Sequence, residues 1–500
     1  MTEPCDLSAV EARALIGGKK LSASELLESC IARIEAVDHA VNAMVARDYG
    51  RARAAAKEAD ATVARGDVLP ALHGLPIGVK DLEDVAGLRT TYGSTLFRDH
   101  VPEKDQLIVA HTRKAGAIVL GKTNTPEWGA GANTRNGVYG ATGNPFDPSL
   151  SAAGSSGGSG VALACGMVPV ATGSDTGGSL RNPAAYNGIV GFRPTPGLVP
   201  NEKKPLGWAA LGVLGPMART VPDLCLLLST MVGDDAGDPL ATTIEGRQVR
   251  RPEDFAVPGA VDLASLRVAL TPDFGFAPTE KHIRAVFAEK TGLFRHVFAR
   301  AEDTTPDCAG ADESFEVLRA LSFLAGFHEK VRDTPDQVGP NVRANVEEGL
   351  GYSALDVVRA MKLQMAMYKS WQGFFESHDV ILPRPSRSAR APGPSSTRPR
   401  STGCRPGPIS TGWRSPMRRP WSGIRPSRCR WGWTTGACRS ACRSSGRAAA
   451  MRRCWPSRRR WSDCWPGTRA PPGRCRTWRS SRPPCRCARA RASWASAEAG

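Results

Sequence analysis

The chain has 500 residues and a formal net charge of +18, long enough for a sizeable core and basic enough to suggest an anionic partner. The charge is unevenly placed. From Arg384 to Gly500 there are 28 Arg, no Lys and only two acids, Asp463 and Glu498, for a net of +26, whereas Met1–Pro383 carries a net of −8. No apolar run approaches the ~18 residues of a membrane helix, and "MTEPCDLSAV" lacks the basic-then-apolar start of a secretory signal. Cys5, Cys30, Cys165, Cys225 and Cys308 are scattered without metal-ligand spacing. The first 383 residues are therefore expected to be an acidic globular protein of the reducing cytoplasm, with no membrane partner.

The N-terminal 70 residues read as a helical region. Ser8 with Glu11, and Ser22 with Glu25, fit capping boxes, in which side chains satisfy a helix's first free N–H groups. Gly17-Gly18 ends the first helix. Leu26, Leu27, Cys30, Ile31 and Ile34 form an apolar stripe at helical spacing on the second, and an Ala/Arg-rich helix is expected from about Ala46 to Arg65. Beyond it, "LPIGVKD" (75–81), "AIVLGK" (117–122), "VPVATG" (168–173), "GIVGF" (188–192) and "LRVALTP" (266–272) read as buried strands. "VPDLCLLLSTMVG" (221–233) and the stretch from Ala354 to Glu376 read as helices. Alternation of this kind predicts an α/β fold over 71–383, a mixed β-sheet core covered by α-helices.

The stretch "SAAGSSGGSG" (151–160) invites three readings: linker, phosphate loop or catalytic turn. A linker would have polar flanks, but "VALACGMVPVATG" must be buried. A phosphate loop needs Lys-Ser/Thr after its second glycine, and none follows. A second glycine-serine turn, "GSDTGGSLR" (173–181), lies directly after a predicted strand, and "GVKDLED" places Lys80 at the end of another. Serines on glycine turns with a desolvated lysine can make a hydrolytic site. The hydroxyl needs a base, burial makes a lysine easier to deprotonate, and glycines let N–H groups approach an oxyanion. For any one lysine beside an aspartate the plainer reading is a solvated pair.

"GLPIGVKD", then "GSSGGSGVALACGMVPVATGSDTGGSLRNPAAYNGIVGFRPT", with "GAIVLGKTNTPEWG" and "GPMARTVPDLCLLL", closely resembles the amidase signature family, over roughly Asp6 to Pro383. The resemblance implies the fold of that family and hydrolysis of a carbon–nitrogen amide bond, without cofactor, through an acyl-enzyme. It implies Ser179 as nucleophile, Ser155 as the proton relay on a cis peptide and neutral Lys80 as base. Backbone N–H groups of Thr176, Gly177 and Gly178 would form the oxyanion hole. Ser156, Asp175 and Arg181 are assigned supporting roles, Arg181 anchoring the signature loop or orienting a substrate, and Asp81 and Asp175 are expected to support Lys80 and the loops rather than act as acids. His73 and His111 have no partners at metal spacing, so no metal is assigned. Ala153 stands where the family usually has glycine. The alternative within the family is the amidase subunit of a tRNA-dependent amidotransferase. The partner expected is a small-molecule amide; a homodimer is compatible with the sequence, which does not identify the amide.

Residues 384–500 contain nine Cys and nine Trp but no Leu, Val, Phe, Tyr, Lys, Asn, Gln or His, a composition that cannot build an ordinary core. An arginine-rich nucleic-acid-binding tail is one reading. Out-of-frame translation of GC-rich DNA accounts for the composition better. Residues 423–447, "GIRPSRCRWGWTTGACRSACRSSGR", admit codons that read "GHPAVSVPLGLDDRGMPFGVQIVGP" when shifted one nucleotide earlier, resembling the family's C-terminal strands. On this reading the α/β domain is incomplete at its C-terminal end, the break falls near Pro383 and the segment beyond is disordered. The nucleic-acid reading then ranks below the hydrolytic ones.

Overall fold

A computed structural model describes residues 3–384 apart from 242, 245, 246 and 249; the frameshift and disorder expectations for 385–500 fall outside the described residues. The N-terminal region comprises α1 (Ala9–Gly17), α2 (Ala23–Val41), β1 (Met44–Arg47) and α3 (Tyr49–Arg65). The two capping boxes form as expected, with Ser8 and Ser22 accepting from the backbone of Glu11 and Glu25. The expected helix from Ala46 starts later. Ala46 lies in β1, and Asp48 caps α3 by accepting from the Arg51 N–H at 3.0 Å. An aspartate at this point satisfies a free helix donor, so the extended chain ends and the helix begins there.

The central part runs β2 (Pro76–Lys80), α4 (Leu107–Lys114), β3 (Ile118–Thr123), a short hairpin of β4 (Arg135–Asn136) and β5 (Gly140–Ala141), α5 (Gly157–Ala164), β6 (Val170–Asp175), α6 (Arg181–Asn187), β7 (Val190–Gly191), β8 (Val213–Ala218) and α7 (Val221–Met231). A six-stranded mixed sheet has the order β1-β3-β2-β6-β8-β7. Its centre is parallel, β3 beside β2 beside β6, and its two flanks are antiparallel. Every residue of β2, β3 and β8 is buried. Strands covered on both faces read as continuous apolar runs, which is why β2 and β3 stand out in the sequence. Leu26, Leu27, Cys30 and Ile34 of α2 join this core, each 1% exposed or less.

Two further strands form the hairpin β9 (Thr243–Ile244) and β10 (Arg247–Gln248). The chain then makes β11 (Arg267–Thr271), α8 (Lys281–Phe294), β12 (Arg300–Asp303), α9 (Ala311–Asp333), α10 (Pro340–Leu350), α11 (Ala354–Ser377) and β13 (Val380–Pro383). The expected strand at 266–272 is therefore real, but it belongs to a separate all-parallel sheet ordered β12-β11-β13. Trp371 and Phe375 of α11 pack with Phe274 and Ile381 beside it.

Candidate active site

Lys80 closes β2 and is completely buried. Its Nζ lies 2.8 Å from Ser155 Oγ, 2.9 Å from Ser156 Oγ and 2.8 Å from Ser174 Oγ. Burial is the main reason its ammonium is pulled down to about 7, against opposing pulls from the Glu83 and then the Asp175 carboxylates. Half of this lysine is neutral near physiological pH, able to accept a proton from a hydroxyl that touches it.

Ser155 follows a cis Gly154–Ser155 peptide bond, and Ser156 caps α5. The stretch 151–160 is thus a turn only as far as Ser156, and Gly157–Ala164 is helical. Three glycines in eight residues disfavour helix locally. The helix forms because it is wholly inside, with Gly157 to Leu163 buried, and only small residues allow its backbone that close to its neighbours. Ser156 N–H donates to the Ser179 carbonyl at 3.2 Å, tying the two serine turns together.

Ser179 sits on the turn leaving β6, half-buried, and lines a cavity of about 330 Å³ with Ser155, Ser174, Thr176 and Gly177. The turn is held by Asp175, which is fully buried. Its carboxylate accepts from Gly178 N–H at 2.8 Å, Leu180 N–H at 3.1 Å, and Arg181 Nε and Nη2 at 2.9 and 2.8 Å. Arg193 adds a contact at 3.2 Å and donates to the Asp175 carbonyl. Burial alone would raise the Asp175 carboxyl, but Arg181, then Arg193 and the Gly178 N–H, outweigh it and hold it well below the usual range. Arg181 grips both oxygens of the Asp175 carboxylate.

Two expectations need correction. The Gly178 N–H, expected among the oxyanion donors, donates instead to the Asp175 carboxylate at 2.8 Å. An Asp side chain three residues earlier competes for that donor. Thr176 and Gly177 keep their places on the cavity wall. Of the two supports expected from Asp81, the structure shows the one to the loop and no bond to the Lys80 ammonium. Asp81 accepts from the N–H and hydroxyl of Thr91, which fastens the 88–93 loop.

Several residues of the site escaped the sequence reading. Ser174 is the third hydroxyl on Lys80, inside the very motif that flagged Ser179. Glu83 and Lys122 are both fully buried, and Lys122 donates to the Glu83 carbonyl. The signal for Lys122 was available, since it ends an apolar strand just as Lys80 does. Arg193, 14 residues beyond the Ser179 turn, had no local signal. Nor had the aromatic wall. Trp128 stacks on Phe327 with ring centroids 4.9 Å apart, Phe323 lies 5.5 Å from Phe327, and the Arg319 guanidinium sits 4.7 Å over the Phe323 ring. Phe315 closes on the turn itself, so that a Cβ on Gly177 would stand 2.8 Å from its ring. All except Trp128 come from α9. Among the described residues no group of His, Cys, Asp and Glu is arranged to hold a metal ion, and no helix is long and apolar enough to cross a membrane.

An α/β sheet presenting a buried lysine to paired serine hydroxyls, beneath a glycine turn, is the architecture of an amide hydrolase. Comparison with known proteins agrees. The sequence profile of the family described as Amidase matches residues 25–398. An acylamidase of Rhodococcus erythropolis is 34% identical over 392 residues, covering 77% of this chain and 80% of its own length. A glutamyl-tRNA(Gln) amidotransferase subunit of Anaeromyxobacter sp. (strain K) is 36% identical over 303 residues, and the match spans 61% of this chain and 60% of that protein. Among solved structures, a bacterial aryl acylamidase of the amidase signature enzymes superposes with TM-score 0.71 at 25% identity, covering 78% of this chain and 81% of that one. The chain belongs to the amidase family, as an amide-hydrolysing enzyme.

Proposed function

We propose that this enzyme cleaves a small-molecule amide through an acyl-enzyme on Ser179, with Ser155 relaying the proton and Lys80 as base. The observation that carries the reading is the completely buried Lys80 Nζ, which ordinary lysine chemistry does not explain, within 2.8 Å of the Ser155 hydroxyl. Ser179 Oγ attacks the amide carbonyl while its proton passes through Ser155 to Lys80. The same path returns the proton to the leaving amine, and water then releases the acid. Thr176 and Gly177 N–H groups are the oxyanion donors on this reading; Ser156, Asp175 and Arg181 hold the two turns. The aromatic wall favours an aryl or bulky apolar group on the substrate. The test is mass spectrometry after a serine-directed acylating or phosphonylating reagent: one adduct on Ser179 is expected, absent in Ser179→Ala. Labelling elsewhere overturns the assignment.

The likeness to the amidotransferase component favours a second reading, in which the site releases ammonia for a partner protein. Free amidase turnover by the isolated chain separates the two. The cytoplasm is the expected compartment and a homodimer is compatible with it. For residues beyond about Pro383 the out-of-frame reading stands on composition, and the coding DNA tests it.

A further inference from the structure

Three ionisable side chains, Lys80 at the end of β2, Glu83 in the turn that follows it and Lys122 in β3, are completely buried, each 0% exposed. Glu83 is tied twice to the main chain of Lys80. Its N–H donates to the Lys80 carbonyl at 3.0 Å, and its Oε2 accepts from the Thr172 hydroxyl, which in turn accepts the Lys80 N–H at 2.9 Å. The other oxygen, Oε1, is buried without a hydrogen-bond partner, although the residue lines the substrate cavity. A buried carboxylate left half-satisfied is costly unless a nearby positive charge compensates it.

The remaining charges around the site are already matched. Asp175 faces Arg181 and Arg193; Asp84 pairs with Lys203 and accepts from Tyr92 Oη at 2.6 Å; Asp81 accepts from Thr91. Lys122 donates to the Glu83 main chain and lies in the field of Asp81, Glu83 and Asp84. Lys80 feels Glu83 first and Asp175 second, and Asp175 is committed to its two arginines. Burial pushes the Glu83 carboxyl up, while the Thr172 hydroxyl, Lys80 and Lys122 favour its charged form, and Glu83 is the acid that acts most strongly on the base.

We propose that Glu83 is a positioning residue for the base: its carboxylate is the counter-charge that stabilises the Lys80 ammonium as that ammonium forms. This rests on the assignment of Lys80 as base. When Ser179 attacks, one proton moves from Ser179 to Ser155 and one from Ser155 to Lys80, so a buried neutral amine becomes a buried cation. A buried carboxylate near the base, held in place by the Thr172 hydroxyl, lowers the cost of that step without touching the substrate. Glu83 also delays release of the Lys80 proton in the resting enzyme, because the same carboxylate favours the charged form.

The experiment is the pH dependence of kcat and KM of the 500-residue chain on an aryl p-nitroanilide, from about pH 5 to 9. Compared are the parent, Glu83→Gln, Glu83→Asp, Thr172→Val and Lys80→Ala. Glu83→Gln is expected to move the acidic limb of kcat/KM down by about one pH unit, the size of a near opposite charge. It also lowers plateau kcat roughly tenfold with KM little changed. Glu83→Asp restores the limb. If Glu83→Gln does not fold, Thr172→Val, which withdraws the donor from Oε2, shifts the limb in the same direction by less. A limb that belongs to Lys80 but is unmoved by Glu83→Gln, or by Thr172→Val in its place, overturns this inference alone. So does loss of kcat without a shift, the mark of a structural role. An absent acidic limb in the parent, or one that survives Lys80→Ala, overturns the base assignment and this inference with it.

Discussion

Replacing Asp175 by asparagine changes one oxygen to an amide nitrogen on a side chain that is completely buried and serves two guanidinium groups and two backbone donors. Whichever oxygen is replaced, the new NH₂ meets donors: at Oδ1 the Gly178 N–H, Arg181 Nη2 and Arg193 Nη1, and at Oδ2 the Leu180 N–H and Arg181 Nε. Arg181 and Arg193 have side chains only 21% and 12% exposed, so water cannot replace the lost charge. Removing one partner of a buried ion pair costs ~3–5 kcal/mol. At about 2 °C per kcal/mol for a domain of this size, the unfolding midpoint should drop by roughly 6–10 °C. The Ser179 turn hangs on the same carboxylate, so kcat should fall even at temperatures where the variant is folded. The sign of the pH effect follows from the depressed carboxyl. A group held below its unfolded value of about 4 stabilises fully above that pH and loses its contribution as pH falls through the folded value. The gap between parent and Asp175→Asn in urea unfolding should therefore be constant from neutral pH down to about 4 and close only below it. A variant within about 1 kcal/mol of the parent at pH 7, with unchanged kcat, would refute the reasoning.

Four other outcomes are expected. Ser179→Ala should lose at least ~10³-fold in kcat, read in steady-state amide hydrolysis, because the acyl group has nowhere to go. In the parent, kcat/KM should rise through about pH 7 as Lys80 loses its proton, falling about tenfold for each pH unit below; a flat profile between about pH 5 and 8 contradicts neutral Lys80 as base. Phe327→Ala, which breaks the stack with Trp128, should raise KM roughly tenfold for aryl amides and leave small aliphatic amides nearly unaffected. Sequencing the coding DNA across codons 375 to 450 should reveal a displaced frame; an intact frame with no aliphatic alternative ends that reading.

What the sequence reveals of this enzyme follows how local each cause is. The buried central strands announce themselves as unbroken apolar runs, and the helix starts at Ser8 and Ser22 are written within four residues. Lys80 is visible because a cation at the end of such a run is incongruous. The helicity of Gly157–Ala164 is hidden because its intrinsic preference points the other way and burial overrides it. β1 is hidden for a related reason: alanine and arginine at 46 and 47 suit a helix, and only the pairing with β3 makes them a strand. The commitment of Gly178 to Asp175 is hidden because the same carboxylate also holds Arg181 and Arg193, and only the folded turn brings these donors together. Glu83 sits three residues from Lys80 in plain sight, yet its importance depends on a hydroxyl at Thr172, 89 residues further along the chain.

The aromatic wall has a consequence of its own. The groups proposed to break the bond lie between Lys80 and Arg181, whereas Phe315, Phe323 and Phe327 ride on α9, more than 130 residues later, and meet the Ser179 turn where Phe315 rests against Gly177. Selectivity and chemistry are thus separable inheritances. On the proposed reading, changes along one face of α9 would alter which amide fits while leaving the proton path intact, provided that the side chain at 315 still leaves room for the glycine beneath it.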